Sequence, residues 1–388
     1  MQVFVLGMHR SGTSGVTRLL NMAGAYFGPE GISNGADEGN LKGFWERVDV
    51  RAACDGLLQE SGFDWWKVAD FSLDRIPEPV RTRHVGSLKR ILLELDAHRP
   101  WVVKEPRLSL LFPLIRPLLE VPVCVHVTRE PLEVANSLQT RNGFPAPAGL
   151  ALWELYTIRA FESSAGLPRV LVRYEDLMSA PVATLARLLE QLDERGVFGL
   201  RLPTEREITA YVDPDLRHEI HPSSHRTMWM NQQQTLLAAA IDNGNLTDDG
   251  VVPHELSEGA YAQLRAFEDD FARRARADQL QTEVDQRQDE IKSLQRRIDA
   301  VDERAASARR HLGRADQQLK RLSRSRAWRL AWYAYAARHR LVRADKDPLS
   351  EPLERTMSII GQAKRELAEA ERNATSREPG PMNNDEHS

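Results

Sequence analysis

The segment with the densest potential for chemistry is Gly7-Met8-His9-Arg10-Ser11-Gly12-Thr13-Ser14, between the apolar run starting at Val3 and an amphipathic stretch. A loop of small residues joining a buried strand to a helix turns its backbone amides one way, and the helix dipole adds positive potential. Such a cradle suits an anion, most simply a phosphate. Gly12 lets the backbone approach closely, Thr13 and Ser14 add hydroxyl donors, and Arg10 is placed to neutralise a leaving group. A second constellation lies in VCVHVTREPLEVANSLQTR. There Arg129 closes a strand, Pro131 opens a helix, Ser137 follows Arg129 by eight residues, and Arg141 comes one turn later. A guanidinium at a strand's carboxyl end, beside a helix N-terminus, suits a second phosphate. Taken alone, Arg129 reads equally as an ion-pair partner, and Ser137 as a hydroxyl bonded to its own helix.

The spacing Gly7-x4-Gly12 is similar to the P-loop of nucleoside triphosphatases, in which a Lys follows the second Gly. Here Thr13 holds that place and the cation, Arg10, precedes the Gly. No strand ends in a Mg-binding Asp; Val121–Thr128 runs into Arg129 and Glu130. The loop reads better as a cradle for a terminal 5′-phosphate. It resembles the 5′-phosphosulfate loop of sulfotransferases that use 3′-phosphoadenosine 5′-phosphosulfate (PAPS). That loop carries Lys or Arg, a small residue, Gly, then two Ser or Thr. Arg10-Ser11-Gly12-Thr13-Ser14 fits position by position, in the Arg version of the carbohydrate and tyrosyl branches. The resemblance implies that Arg129 and Ser137 bind the nucleotide's 3′-phosphate, with help from Arg141. RYEDLMSAPVATLARLLEQL looks like the family's Arg-Tyr-Glu-Asp-Leu strand end, which implies a place near the adenine for Tyr174. Glu175 and Asp176 read as residues that fix the turn. The resemblance covers roughly residues 1–230.

Sulfuryl transfer to a hydroxyl needs a base for the acceptor proton and positive groups around the sulfuryl oxygens and leaving phosphate. Transfer is in line, and no metal is required. Small-molecule members of the family carry their basic His shortly after a Lys. The matching segment here is Val103-Lys104-Glu105-Pro106-Arg107, without a His, which points to a carboxylate. The candidates, in order, are Glu46, Glu105 and Glu38. Each also reads as an ordinary carboxylate or as a partner for Arg47 or Arg107. Lys104 is expected near the transferring group. His9 is read either as a cofactor hydrogen-bond donor or as a packed loop residue. The His-rich segment at 218–226 suggests a late loop over the cofactor or acceptor rather than a metal site.

The elements that must position these groups are visible in the hydropathy pattern. Val3–Gly7, Trp101–Lys104, Val121–Thr128 and Arg169–Arg173 read as strands, nearly all apolar. Helical patterns separate them: Ser14–Ala25, His84–Ala97, Pro131–Leu138, Ala148–Ser163 and, after the last strand, Pro181–Leu192. The fold class that follows is α/β, a P-loop-like parallel sheet flanked by helices, with a C-terminal coiled coil. Residues 1–270 form the expected sulfotransferase domain, 271–326 the coil, 327–343 a basic aromatic amphipathic segment, and 344–388 a short helix (352–372) and disordered tail. From Ile291 the apolar or small residues step by three and four through Leu294, Ile298, Val301, Ala305, Ala308, Leu312, Ala315 and Leu319 to Leu322, with Leu280 and Val284 upstream. That is a heptad seam, interrupted by Arg287 and thinned by its alanines, and it predicts a homodimer or a single long helix.

Charged residues make up 28 % of the 388 residues, high for one compact globule, and the coil and tail account for the excess. The net charge of −4 argues against a generally basic nucleic-acid binder. It conceals a basic stretch: residues 304–343 hold 12 Lys and Arg against one acid, Asp316, with Trp328, Trp332, Tyr333 and Tyr335 among them. This combination suits an anionic membrane surface, a docking surface for an acidic partner, or a solvated end to the coil, and a glycan-assembly protein is the expected partner if it docks. Two cysteines fit a reducing compartment. No secretory signal or membrane span is expected, so the location read from the sequence is cytoplasmic, with or without peripheral attachment to the inner membrane face. A coil followed by Ser-Arg-Ala-Trp-Arg-Leu also looks like a feature of bacterial cell-surface polysaccharide enzymes. Together with the Arg-type loop and the missing Lys-x-His, it implies a carbohydrate or glycolipid acceptor. The rival expectations are a P-loop kinase using ATP and a non-catalytic scaffold with a degenerate enzyme domain.

Overall fold

The computed structural model describes residues 1–33, 35, 43–212, 226–244, 255–340 and 350–375. The chain divides after Ala275 into two compact units. In the first, β1 (Gln2–Leu6) leads through the glycine-rich loop into α1 (Thr13–Met22), and α2 (Val48–Gln59) and α3 (Glu78–Asp96) follow. β2 (Trp101–Lys104), α4 (Leu108–Ile115), β3 (Pro122–Thr128), α5 (Pro131–Asn142), α6 (Ala146–Ser163) and β4 (Arg169–Arg173) continue the alternation. After β4 come α7 (Tyr174–Ser179), α8 (Pro181–Glu194), α9 (Glu205–Tyr211), α10 (Arg226–Trp229) and α11 (Gln232–Asp242). A long helix, α12 (Glu258–Arg324), starts in the first unit, with Ala260, Leu264, Phe267 and Glu268 buried. The second unit holds the rest of α12 together with α13 (Arg326–Arg340) and α14 (Ser350–Thr375).

The four strands pair in parallel in the order β2-β1-β3-β4. Every residue of β1, β2 and β3 is buried, which is why these strands read as apolar runs without alternation. Successive side chains still enter different layers. Val3, Val5, Val123, Val125, Val170 and Val172 pack with Val16 and Leu20 of α1 and Leu185 and Leu188 of α8. Phe4, Leu6, Trp101, Val103 and Cys124 pack on the other side with α2 through α6, where the Phe4 ring meets Trp101 and Phe112 edge to face. Helices therefore cover both faces of the sheet, as expected from the sequence.

The chain leaves β1 for β2 on one side and then crosses back over β1 to reach β3 on the other. This strand order makes a switch point between β1 and β3, the place where open α/β sheets bind ligands beyond their strand ends. The loop after β1 and Arg129 after β3 flank it. Several bounds differ from the sequence reading. α3 starts six residues early because Pro79 sits in its first turn, where its missing N–H costs nothing. α2 and α4 are helices that the pattern analysis did not anticipate. The expected residues Glu38 and 218–225 lie outside the described residues.

Candidate active site

The loop geometry follows from its glycines. Gly7 has φ +150°, and a Cβ there would collide with the Val127 carbonyl oxygen of β3. Gly12, φ +90°, is the N-cap of α1, and a Cβ there would run into the Tyr174 ring. Having no side chain, Gly12 leaves the first amides of α1 without a cap from that residue, as an anion cradle requires. Ser11 and Thr13 are buried in the turn. The Ser14 hydroxyl donates to the Phe44 carbonyl at 2.7 Å and ties the loop to the segment before α2. Arg141 stacks over the Phe44 ring, with 4.7 Å from its Cζ to the ring centre.

Arg10 adopts φ +70°, a left-handed backbone that is uncommon for a non-glycine residue. Its Nε donates to Ser137 Oγ at 2.9 Å, across 127 residues of sequence. Arg129 Nη1 in turn donates to the Arg10 carbonyl at 3.1 Å. The Arg129 guanidinium lies 4.6 Å over the Tyr174 ring, and its Nε donates to Glu133 at 2.9 Å. Arg10, Gly12, Arg129, Ser137 and Tyr174 therefore meet at one point. Tyr174 serves there as the floor under Arg129 and the wall against Gly12. Glu175 accepts the Glu130 amide at 2.7 Å and fixes the start of α5 to the end of β4.

On the other side of the loop, six charged side chains form a chain of alternating sign. Lys104, at the end of β2, donates to Glu46 Oε1 at 2.6 Å, and both are buried. Arg51 lies 4.0 Å from Glu46 Oε2 and 3.4 Å from Asp55. Arg107 lies 2.7 Å from Asp55 and 2.6 Å from Glu105. Burial alone would raise the Glu46 carboxyl. Lys104, then Arg107 and Arg51, outweigh it and hold Glu46 below the ordinary carboxylate range. Glu105 goes the other way: burial pushes it up and Arg107 only partly compensates. It is sealed in the core, where it accepts both the Arg107 side chain and the Arg107 amide. His9 is held neutral, first by burial and then by the cations Arg107, Lys104, Arg141 and Arg51. Its ring lies 4.6 Å from Trp65 and 5.7 Å from Tyr156.

Sequence reasoning missed Arg51, Asp55 and Glu133. The first two form an i, i+4 pair on α2, and their spacing in VRAACDGLL was the available signal. Glu133 stands four residues after Arg129 in the same way. Among the described residues no cluster of His, Cys, Asp and Glu could hold a metal ion.

An anion cradle at the switch point of a parallel sheet, with two arginines converging on it, defines an α/β group-transfer domain. The profile described as "Sulfotransferase family" matches residues 2–196, half of the chain, and the chain belongs to that family. It is a sulfotransferase, an enzyme that transfers a sulfuryl group. Among solved structures it is similar to the sulfotransferase domain of a Synechococcus olefin synthase. Identity there is 17 %, over 69 % of this chain and 94 % of that one, with a TM-score of 0.34. The sulfotransferase domain from the curacin biosynthetic pathway is 16 % identical over 69 % and 96 %, TM-score 0.33. A Mycobacterium tuberculosis sulfotransferase is 15 % identical over 54 % and 76 %, TM-score 0.29. No curated protein matches the chain.

Proposed function

We propose that the domain uses PAPS and passes its sulfuryl group to a hydroxyl of a carbohydrate or glycolipid. The observation that carries the cofactor reading is the contact of Arg10 with Ser137, closed by Arg129 on the Arg10 carbonyl. Two constellations far apart in sequence, each suited to one phosphate, are joined by direct hydrogen bonds. The loop fits the group: its helix has a glycine N-cap, and Tyr174 leaves no room for a side chain at that point. Arg10, Ser11, Gly12, Thr13 and Ser14 would hold the 5′-phosphosulfate, and Arg129, Ser137 and Arg141 the 3′-phosphate. Bound there, PAPS supplies an activated sulfuryl group on a phosphate leaving group.

This chain's own residues do the rest. Glu46 takes the acceptor hydroxyl proton at Oε2, since Oε1 is occupied by Lys104. Its lowered pKa keeps it ionised and ready at neutral pH. Lys104 and Arg10 bring positive charge to where negative charge develops. Glu105, closed in the core against Arg107, holds the network in place rather than meeting the acceptor. Glycan preference is supported by the Arg-type loop and the missing Lys-x-His.

Calorimetric titration with adenosine 3′,5′-bisphosphate and with ATP plus Mg²⁺ tests the cofactor reading. Tight binding of the bisphosphate and weak binding of ATP is the expected result. Tight binding of ATP without binding of the bisphosphate, or binding of neither, would overturn the PAPS reading. The coil is proposed to pair two copies, with the basic aromatic segment carried toward an anionic membrane or a glycan-assembly partner on the cytoplasmic side. Leu280, Val284, Ile291, Leu294, Ile298 and Val301 are all exposed at heptad spacing on α12, which supports pairing. Leu330 and Tyr333 are exposed on α13, which supports contact with a surface. No helix among the described residues is long and apolar enough to cross a membrane.

A further inference from the structure

One buried charge in the nucleotide site has no role in the reading above. Glu133 is fully buried in the first turn of α5, with its carboxylate 2.9 Å from Arg129 Nε. A carboxylate beside an anion site opposes the anion, so its presence needs a reason. The first turn of a helix is the favourable place for such a charge, because the N-terminal amides and dipole support it. The geometry around Arg129 supplies the reason. The guanidinium is gripped at Nε by Glu133, at Nη1 by the Arg10 carbonyl, and on its face by Tyr174. Guanidinium has five N–H donors in a rigid plane, so fixing two nitrogens fixes the direction of the third. Nη2 has no partner among the described residues.

We propose that Glu133 is a positioning residue: it locks Arg129 through Nε so that the Nη2 edge is presented to the 3′-phosphate, and thereby sets the site's preference for 3′-phosphorylated nucleotides. The proposal rests on the PAPS reading. A freely rotating Arg129 would still attract phosphate, but it would lose orientational entropy on each binding event. Locked in advance, it discriminates by geometry.

The test titrates adenosine 3′,5′-bisphosphate and 5′-AMP into the full chain and into three variants. Glu133→Asp keeps the charge but is one methylene too short to reach Nε. It should lose tenfold or more for the bisphosphate while 5′-AMP stays within twofold. Glu133→Gln keeps an acceptor of the right reach and should hold the bisphosphate within threefold of the natural protein. A misfolded fraction lowers the binding stoichiometry, not the ratio of the two affinities. An unchanged ratio in Glu133→Asp, or equal losses in Glu133→Asp and Glu133→Gln, would overturn the proposal. Arg129→Ala separates this failure from that of the cofactor reading. If Arg129→Ala loses the preference and Glu133→Asp does not, only the positioning role fails. If Arg129→Ala leaves the ratio unchanged, the assignment of the 3′-phosphate site fails with it.

Discussion

At the residue scale, the strongest demand falls on Glu46, which must be charged, reachable and replaceable without loss of the nucleotide site. Glu46→Gln keeps the shape and the Lys104 contact but removes the base. Nucleotide affinity should stay within about twofold, and turnover should fall by about 10²–10⁴, the usual worth of a positioned base. Turnover with saturating donor and acceptor checks this, and near-normal turnover would move the base elsewhere. The pH dependence carries a sign. Glu46 lies below its ordinary value, so its ionised form persists in the free enzyme down through the usual carboxylate range. The acid side of kcat/KM should therefore be flat from about pH 8 to about pH 5.5, and a limb centred near ~6.5 would put the proton on a histidine instead. The same shift makes Glu46 a contributor to stability above its unfolded pKa, lost only as pH falls through the lower folded value. That Arg10, Gly12, Arg129 and Ser137 belong together was legible by type and spacing, because there are few ways to arrange phosphate donors on a strand–loop–helix unit, and the four do meet. The split between Glu46 and Glu105 was not legible. Both are carboxylates near Lys104 in sequence or space, and only packing shows that Arg107 takes one into the core.

At the element scale, the four strands were readable because burial on both faces leaves mostly apolar side chains on β1 and β3, with Gln2, His126 and Thr128 the buried polar exceptions. α2 was not anticipated, although its buried positions Val50, Ala53, Cys54, Leu57 and Leu58 follow the i, i+3, i+4, i+7, i+8 spacing of an amphipathic helix and its other face carries the Arg51–Asp55 pair that serves the site. The change in composition predicts a coil from 271, with the seam starting at Leu280, while the helix begins at Glu258. Its opening turns follow a different rule, because they face the domain and not a partner helix. Leu264 and Phe267 enter the core cluster, and Glu268 accepts the Ala69 amide at 2.8 Å. Arg265 and Tyr261 both reach Asp70. A chain ending at residue 257 should thus be destabilised, whereas one ending at Ala275 should fold and bind nucleotide. Leu264→Ala gives the same loss in miniature, about 2–5 kcal/mol for a fully buried leucine. Urea titration of the three proteins measures it. Equal midpoints would mean that α12 adds nothing to the enzyme unit.

For the whole molecule, the exposed seam from Leu280 to Val301 and the half-buried positions further along α12 pose a question of partners. Ala305, Leu312, Ala315 and Leu319 are half-buried, and Lys364 of α14 meets Asp316 at 2.8 Å. The distal part of the seam thus has a partner within its own chain, while the proximal part shows six apolar side chains to solvent. About three heptads of pairing is a modest coil, and Arg287 in the seam weakens it further. In a parallel pair Arg297 of one copy would face Asp302 of the other, whereas Arg304 would face Arg309, so charge adds little on balance. The expected result is a concentration-dependent dimer of the full chain and a monomer of the chain ending at Ala275. Light scattering across micromolar concentrations reads both masses, and a monomeric full chain at the top of that range would leave the seam for another protein. Pairing also brings two copies of the basic aromatic segment together. Binding to anionic vesicles should then exceed that of a dimerisation-deficient variant, Ile291→Lys with Ile298→Lys, by the avidity of two sites, and should fade as salt screens the lysine and arginine charge. Co-sedimentation at low and high salt decides it. A full chain that stays in the supernatant at low salt would assign α13 to a protein partner rather than to lipid.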